Sequence, residues 1–258
     1  MSMTEHKEFQ AGERLYIGKT VSDNRSINEH WERYRFAAVQ SKPDFAVLDA
    51  ASGSGYGADF LAKHARMVYG IEINDHAFQW AREYYAGPRI IFVQADLNKP
   101  LPFLDGQFDL ITSFETLEHV ADQNTMLYEF RRVLKPGGTV IISSPDREVI
   151  TDRAGAENKF HINELSKKEF IALLKKYFHL ETLYGQTKYS PLPWYKKLIK
   201  AIAKLDVCKV RRWIVQRCGL KLFVHTTFSP IAETAIERIG FETPNDYYVL
   251  IGVCTKEL

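Results

Sequence analysis

Short apolar runs alternate with amphipathic stretches along most of this chain. Residues 45–48, 68–72, 90–97, 108–114, 139–143, 179–184 and 247–254 are mainly apolar or β-branched and short enough for strands. Residues 56–65, 76–86, 125–134 and 170–178 read as helices between them. Asn74 and Asp75 cap the second of these, Gly87-Pro88 stops it, and Ser166-x-x-Glu169 forms a capping box for the last. Ahead of the first strand, Ser26-x-x-Glu29 reads as another capping box, with Ile27, Trp31, Tyr34 and Ala38 as the buried stripe of its helix. Such alternation predicts a parallel sheet with helices on both faces.

The first strand runs directly into Asp49-Ala50-Ala51-Ser52-Gly53-Ser54-Gly55-Tyr56-Gly57. Glycines at 53, 55 and 57 permit a tight turn and close approach of a ligand to the backbone. Dinucleotide enzymes use G-x-G-x-x-G, but here an acid precedes G-x-G-x-G. Asp49 would repel a pyrophosphate and attract a cationic amine. The second strand also ends in an acid, Glu72, and the third in Asp96-Leu97.

Composition narrows the picture. With 258 residues and 45% hydrophobic content the chain can bury a full core, as one domain with an insertion. The N-terminus has no apolar run and no stretch reaches a membrane span, so a soluble, cytoplasmic protein is expected. Cys208, Cys218 and Cys254 lack paired spacing and are expected as reduced thiols. A net charge of +2 is too small to argue for nucleic acid.

Taken with Phe108-Asp109-Leu110-Ile111-Thr112-Ser113-Phe114 and Arg131-Arg132-Val133-Leu134-Lys135-Pro136-Gly137-Gly138, these segments resemble the class I S-adenosylmethionine (SAM) dependent methyltransferases over roughly the first 185 residues. The resemblance implies an α/β, Rossmann-like, doubly wound sheet of seven strands, mostly parallel with the last antiparallel. Residues 1–44 would cover the cofactor, 45–186 with 247–258 would form the core, and 187–246 an insertion or lid. It implies SAM as cofactor, with Asp49 at the ammonium, the Gly53–Gly57 backbone N–H groups at the carboxylate, Glu72 on the ribose hydroxyls, and Asp96 with Leu97 at the adenine edge. Ala51, Gly53, Gly55, Tyr56, Ile73, Ser113 and Phe114 complete the implied pocket. Tyr16 and Tyr34 are candidate cleft residues or plain core aromatics.

A second cluster follows the fourth strand: Glu115, Glu118 and His119 lie at the sheet's carboxyl edge, where ligands bind in such folds. His161 starts from the same edge after the fifth strand. Two carboxylates and two imidazoles suit a divalent cation, Mg²⁺, Mn²⁺, Fe²⁺ or Zn²⁺, with positions left for substrate oxygens. Without a cation, Glu118 and His119 cap and pack, and His119 or His161 becomes a general base. The E-x-x-E-H pattern with a later histidine resembles the metal site of small-RNA terminal 2′-O-methyltransferases, and E-x-x-E-H alone is similar to ubiquinone-pathway O-methyltransferases. Overall the chain looks most like bacterial polysaccharide and lipopolysaccharide-cluster methyltransferases, through Gly53-Ser54-Gly55-Tyr56-Gly57, Phe160-His161 and Tyr184-Gly185-Gln186.

Within 187–246, apolar residues such as Trp194, Leu198, Ile202 and Trp213 alternate with Lys196, Lys197, Lys200, Lys204, Arg211 and Arg212. This segment is either a lid with lysines solvated outward or a contact for an anionic substrate, RNA or a membrane surface. The expected function is SAM-dependent, metal-assisted O-methylation of a sugar hydroxyl on a glycan or nucleotide sugar. Its catalytic residues would be His119, His161 and Glu115. Alternatives are RNA ribose 2′-O-methylation, methylation of a small molecule such as a quinone, and a non-catalytic SAM-binding partner.

Overall fold

An eight-stranded sheet carries the chain. The computed structural model describes residues 9–11, 14–16, 25–155, 158–187, 236–242 and 247–257. A short antiparallel hairpin pairs β1 (Phe9–Ala11) with β2 (Arg14–Tyr16). Then come α1 (Arg25–Gln40), β3 (Ala46–Ala50), α2 (Tyr56–Leu61), β4 (Met67–Glu72), α3 (Asp75–Tyr85) and β5 (Ile90–Gln94). β6 (Phe108–Phe114), a 3-10 turn (Leu117–His119), α4 (Gln123–Val133), β7 (Leu134–Pro145), a π-helical turn (Glu148–Arg153) and α5 (Lys167–Tyr177) follow. The chain finishes with β8 (His179–Gln186), β9 (Ile236–Ile239) and β10 (Val249–Thr255).

Strand order is β5-β4-β3-β6-β7-β10-β8-β9. From β5 to β7 the pairings are parallel, and β10 runs antiparallel to both β7 and β8. The expectation of a mostly parallel sheet with an antiparallel last strand is met, but the count of seven is corrected to eight. β9 comes from the end of the stretch read as insertion and pairs antiparallel with β8, Leu183 facing Ile239 and Gln186 facing Ile236. Its sequence Ile-Glu-Arg-Ile is short, and Glu237 and Arg238 are exposed. Charged, brief edge strands resist further pairing and for the same reason carry little periodic signal.

Apolar residues of both sheet faces form two cores. On one face α1, α2 and α3 bring Ile27, Tyr34, Leu61 and Phe78 against Val47, Val68 and Ile141. On the other, Phe130, Phe170 and Leu174 of α4 and α5 meet Leu48, Ile111 and Ile142. Ile27, Tyr34 and Ala38 are buried and Trp31 is half-buried, so the stripe on α1 is as expected. Because α1 begins at Arg25, Ser26 lies inside the helix and not at its cap. Asn74 does cap α3 by accepting the Ala77 N–H, and Ser166 with Glu169 forms a complete capping box on α5.

The chain divides into two units, Met1–Lys188 with Thr234–Leu258, and Tyr189–Glu233. The second unit, with the basic segment 194–217, lies outside the described residues. Among the described residues no helix is long and apolar enough to cross a membrane. Strand order reverses beside β3, with β4 and β5 on one side and β6 and β7 on the other, so a crevice opens at the carboxyl ends of β3 and β6.

Candidate cofactor cleft and metal-type cluster

At that crevice β3 leaves the sheet through Ala51, whose φ of 61° puts a residue with a Cβ in the left-handed region. Gly53 (φ 55°) and Gly55 (φ 91°) complete the turn. A Cβ on Gly53 would meet nothing within 4 Å, whereas one on Gly57 would lie 1.9 Å from Tyr34 Cζ. Gly53 is there for its backbone angle, and Gly57 because α1 lays the Tyr34 ring against α2.

A cavity of ≈ 390 Å³ adjoins this turn, within the range of about 300–1,000 Å³ usual for small-molecule sites. Ala51, Gly53, Tyr56, Glu72, Ile73, Asp96, Leu97, Phe114, Glu115 and His119 all line it, together with Tyr34. His30, Asn98 and Thr116 also line it without having stood out in the sequence, and so does Phe160, whose pairing with His161 was read as a family element and not as cavity wall. His30 precedes Tyr34 by one helical turn, so the face of α1 already read as cleft-facing could have yielded it.

Glu72 is 5% exposed and holds the backbone N–H groups of Gly53 (3.1 Å) and Asn74 (2.8 Å) on separate oxygens. Its remaining lone pairs suit the two hydroxyls of a ribose. The Gly53 N–H, expected at the cofactor carboxylate, is therefore engaged by Glu72, and Gly55 N–H donates to Ser52 O at 3.0 Å. Ser52 Oγ lies buried in the same turn with no hydrogen-bond partner, a polar atom for which a ligand carboxylate would be the natural acceptor. Asp96 accepts from Asn98 N and Nδ2, both at 2.9 Å, and these bonds hold its carboxyl below the usual range.

Asp49, Gly55 and Ser113 do not reach the cavity wall. Asp49 is 1% exposed and accepts from Tyr34 Oη (3.3 Å to each oxygen) and Thr112 Oγ1 (2.9 Å). Burial pushes its carboxyl up to about 7 against the pull of those two bonds. Tyr34 therefore stands between Asp49 and the cavity it lines. Gly55 packs on α3, where a Cβ would come within 2.8 Å of Ala81 Cβ, and Ser113 is fully buried with an unpartnered Oγ. Tyr16 lies in β2, and its side chain falls outside the described residues.

The metal-type cluster forms at the other end of the crevice. Glu118, His119 and His161 each offer one ligand atom, all within 4.8 Å of one another. Glu115 stands apart from this trio. Its backbone is left-handed (φ 49°), its N–H donates to Ser143 Oγ at 3.1 Å and its Oε1 accepts from that hydroxyl at 2.9 Å. Glu118 is 1% exposed, and burial and then the neighbouring Glu115 charge raise its carboxyl well above the usual range. Among the described residues Ser144 Oγ, at 3.2 Å, donates to it, and His119 Nε2 lies 3.9 Å from its other oxygen. A cation would relieve such a carboxylate, and the mixed oxygen and nitrogen donors fit a divalent ion. His119 Nδ1 lies 3.0 Å from Phe160 O, which can only accept, so the proton sits on Nδ1 and Nε2 is the atom that a cation would take.

The acid-lined, pyrophosphate-averse cleft suits a cationic sulfonium cofactor, and comparison with known proteins agrees. Residues 48–142 match the family described as "Methyltransferase domain". The probable S-adenosylmethionine-dependent methyltransferase Rv3030 of Mycobacterium tuberculosis is 37% identical over 162 residues, 60% of this chain and 57% of that one. The ubiquinone/menaquinone biosynthesis C-methyltransferase UbiE of Shewanella baltica is 33% identical over 137 residues, 48% of this chain and 53% of that one. The chain thus spans only 53–57% of the length of these two curated relatives. The fold is shared with the PH0226 protein of Pyrococcus horikoshii, with a TM-score of 0.59 at 19% identity over 91% of this chain and 93% of that one. Fold, cleft and relatives point the same way: over residues 48–142 the chain matches a methyltransferase domain, and over that stretch and its flanks it is similar to SAM-dependent methyltransferases.

Proposed function

We propose that the chain transfers a methyl group from SAM to a hydroxyl of a sugar, with a divalent cation at Glu118, His119 and His161 and Glu115 nearby. One observation carries this reading: the trio sits at the carboxyl edge, and its member His119 lines the same cavity as Glu72, Asp96 and Glu115. Glu72 and Asp96 would hold a donor's ribose and adenine in that cavity, which His119 of the trio also lines. SAM supplies the methyl group, and a cation at the trio would supply charge that makes a bound hydroxyl more acidic. The chain's own part is positioning: Tyr34 and Phe114 wall the cavity, Glu72 and Asp96 orient the donor, and the histidines face the acceptor. Holding an acceptor oxygen in line with the donor accounts for about 7–11 kcal/mol of a barrier in well-oriented systems. Vicinal hydroxyls of a sugar would offer such a cluster two oxygens, which a quinone ring carbon would not.

The test is elemental analysis of purified protein together with turnover on a panel of nucleotide sugars, oligosaccharides, a quinol and a single-stranded RNA. Expected are one divalent ion per chain, turnover on a saccharide, and loss of turnover but not of SAM binding in Glu118→Ala, His119→Ala and His161→Ala. Turnover unaffected by chelator, with the site empty in millimolar metal, would reduce the trio to packing and capping and leave His119 or His161 as a general base. Methylation of the quinol alone would replace the sugar reading, and methylation of RNA with steep salt dependence would replace it with a ribose acceptor.

A further inference from the structure

His161 does not stand alone. Its Nδ1 lies 2.5 Å from Glu164 Oε1, and the other oxygen of Glu164 accepts from Thr151 Oγ1 at 2.5 Å. On the far side of the ring, Nε2 lies 2.9 Å from Asn158 Nδ2. Asn158 cannot be turned end for end without loss, because its Oδ1 accepts the Phe160 N–H at 3.1 Å. Its amide nitrogen therefore faces His161 and can only donate. A carboxylate on one side and an N–H donor on the other leave one consistent placement of the ring proton: on Nδ1, with the lone pair on Nε2.

We infer that Glu164, braced by Thr151, is a positioning residue that fixes the Nδ1–H form of His161, so that the lone pair a cation beside Glu118 and His119 could take is that of Nε2, in exchange for its bond from Asn158. This inference rests on the metal reading above for its consequence, but the proton placement stands without it. A histidine ring in water prefers its proton on Nε2, the form that cannot bind a cation through that atom. The pair is shielded enough for the bond to matter, with His161 and Glu164 side chains 12% and 10% exposed. Glu164 also has a rigid mount. Its carbonyl accepts from Arg147 Nη1 at 3.2 Å, Leu165 bridges to Asp146, and Ser166 begins the capping box of α5. Thr151 is fixed separately, in the π-helical turn (Glu148–Arg153) that follows β7. His119 shows the same design with a different partner, its Nδ1 being paired to Phe160 O. Partners of this kind on the non-ligating nitrogen set ligand orientation, and their loss typically weakens metal binding by about 10–100-fold.

The experiment uses the full chain and two readouts. Ring-nitrogen NMR of ¹⁵N-histidine protein without metal reports the tautomer of His161, and Mn²⁺ titration by calorimetry reports affinity. Expected are Nδ1–H in the wild type, a shift toward Nε2–H in Glu164→Ala, and a loss of Mn²⁺ affinity of about 10–100-fold with SAM affinity retained. Glu164→Gln, isosteric and still able to accept from Nδ1, should keep the tautomer and lose less affinity, which guards against a variant that fails to fold. An Nε2–H wild type, or an unchanged tautomer in Glu164→Ala, overturns the inference whatever the metal result. A wild type that binds no Mn²⁺ but shows the tautomer shift refutes the metal reading alone. Unchanged Mn²⁺ affinity in Glu164→Ala, when His161→Ala has lost it, overturns the role assigned here.

Discussion

The backbone N–H of Gly53 donates to Glu72 Oε2 at 3.1 Å, so the glycine turn after β3 is tied to the acid that ends β4. Glu72→Ala would at once break that tie, free the Asn74 N–H and remove the carboxylate proposed to hold the ribose. SAM affinity should fall by about 1–3 kcal/mol and stability by a similar amount, the cost of leaving buried donors unpaired. Glu72→Gln keeps one acceptor and should lose less of both. Calorimetry with SAM decides it: undiminished affinity in the alanine variant would take Glu72 out of the site.

Asp49 should give opposite pH trends for stability and for cofactor binding. Its carboxyl sits near 7 in the folded chain against an ordinary value of 3.8, chiefly through burial. Between those values the folded state holds a proton that the unfolded state has lost. The stabilisation is therefore full below 3.8, declines as pH rises, and is gone above about 7. Asp49→Asn does not titrate, so at pH 8 it should be the more stable protein, by up to about 4 kcal/mol, with the difference closing near pH 4. Screened from the cavity by Tyr34, Asp49 would act on a SAM ammonium only at a distance and only when ionised, so any gain in affinity as pH rises through 7 should be small and confined to the wild type. Denaturant melts of both proteins across this range check the first claim. A stability difference that does not move with pH would show that Asp49 is not held protonated.

Two glycine substitutions separate backbone angle from packing. Gly53→Ala places a Cβ in open space at φ 55° and should cost about 1–2 kcal/mol of stability. Gly57→Ala drives a Cβ into the Tyr34 ring, 1.9 Å from Cζ, and that ring also donates to Asp49. Overpacking there should cost about 1–3 kcal/mol or more and loosen α1 from α2. Thermal melts and the near-ultraviolet signal of Tyr34 and Tyr56 would record it. Equal stability of the two variants would mean that the Tyr34 contact is easily relieved.

What the sequence made legible follows from signal strength. Buried parallel strands such as Ala46–Ala50 and Phe108–Phe114 are mainly apolar and bounded by turn residues, so their places were readable. β9 was not, because an edge strand of Ile-Glu-Arg-Ile buries little. In the cleft, Glu72 and Asp96 were legible as acids at strand ends. Position along the chain cannot say that Tyr34 would screen Asp49, that Glu115 would turn to Ser143, or that Glu164 would claim His161. The first two depend on partners brought in by the tertiary fold, at separations of 15 residues for Tyr34 and Asp49 and 28 for Glu115 and Ser143, whereas Glu164 is three residues from His161 in a loop whose turns leave no periodic signal.

The last prediction concerns how His161 is brought to Glu118 and His119 at all. Ile162 N–H and Asn163 N–H both donate to Glu118 O, at 2.8 and 3.0 Å. Asn163 Nδ2 adds bonds to Val120 O (3.0 Å) and Ala121 O (3.2 Å). Gln123 Nε2 closes the clamp by donating to Leu117 O (2.8 Å) and Asn163 O (3.0 Å). Two segments more than 40 residues apart are thus joined mainly through backbone carbonyls, so the contact survives only if those polar groups stay paired. Asn163→Ala removes a two-bond donor and should destabilise the loop by about 1–3 kcal/mol. Because Glu72 and Asp96 belong to other strands, SAM affinity should change little while affinity for Mn²⁺ falls. Hydrogen exchange gives the local test, with faster exchange expected at the Ile162 and Asn163 amides than in the wild type. Protection at those two amides equal to that of the wild type would mean that the backbone bonds to Glu118 hold the loop without the Asn163 side chain.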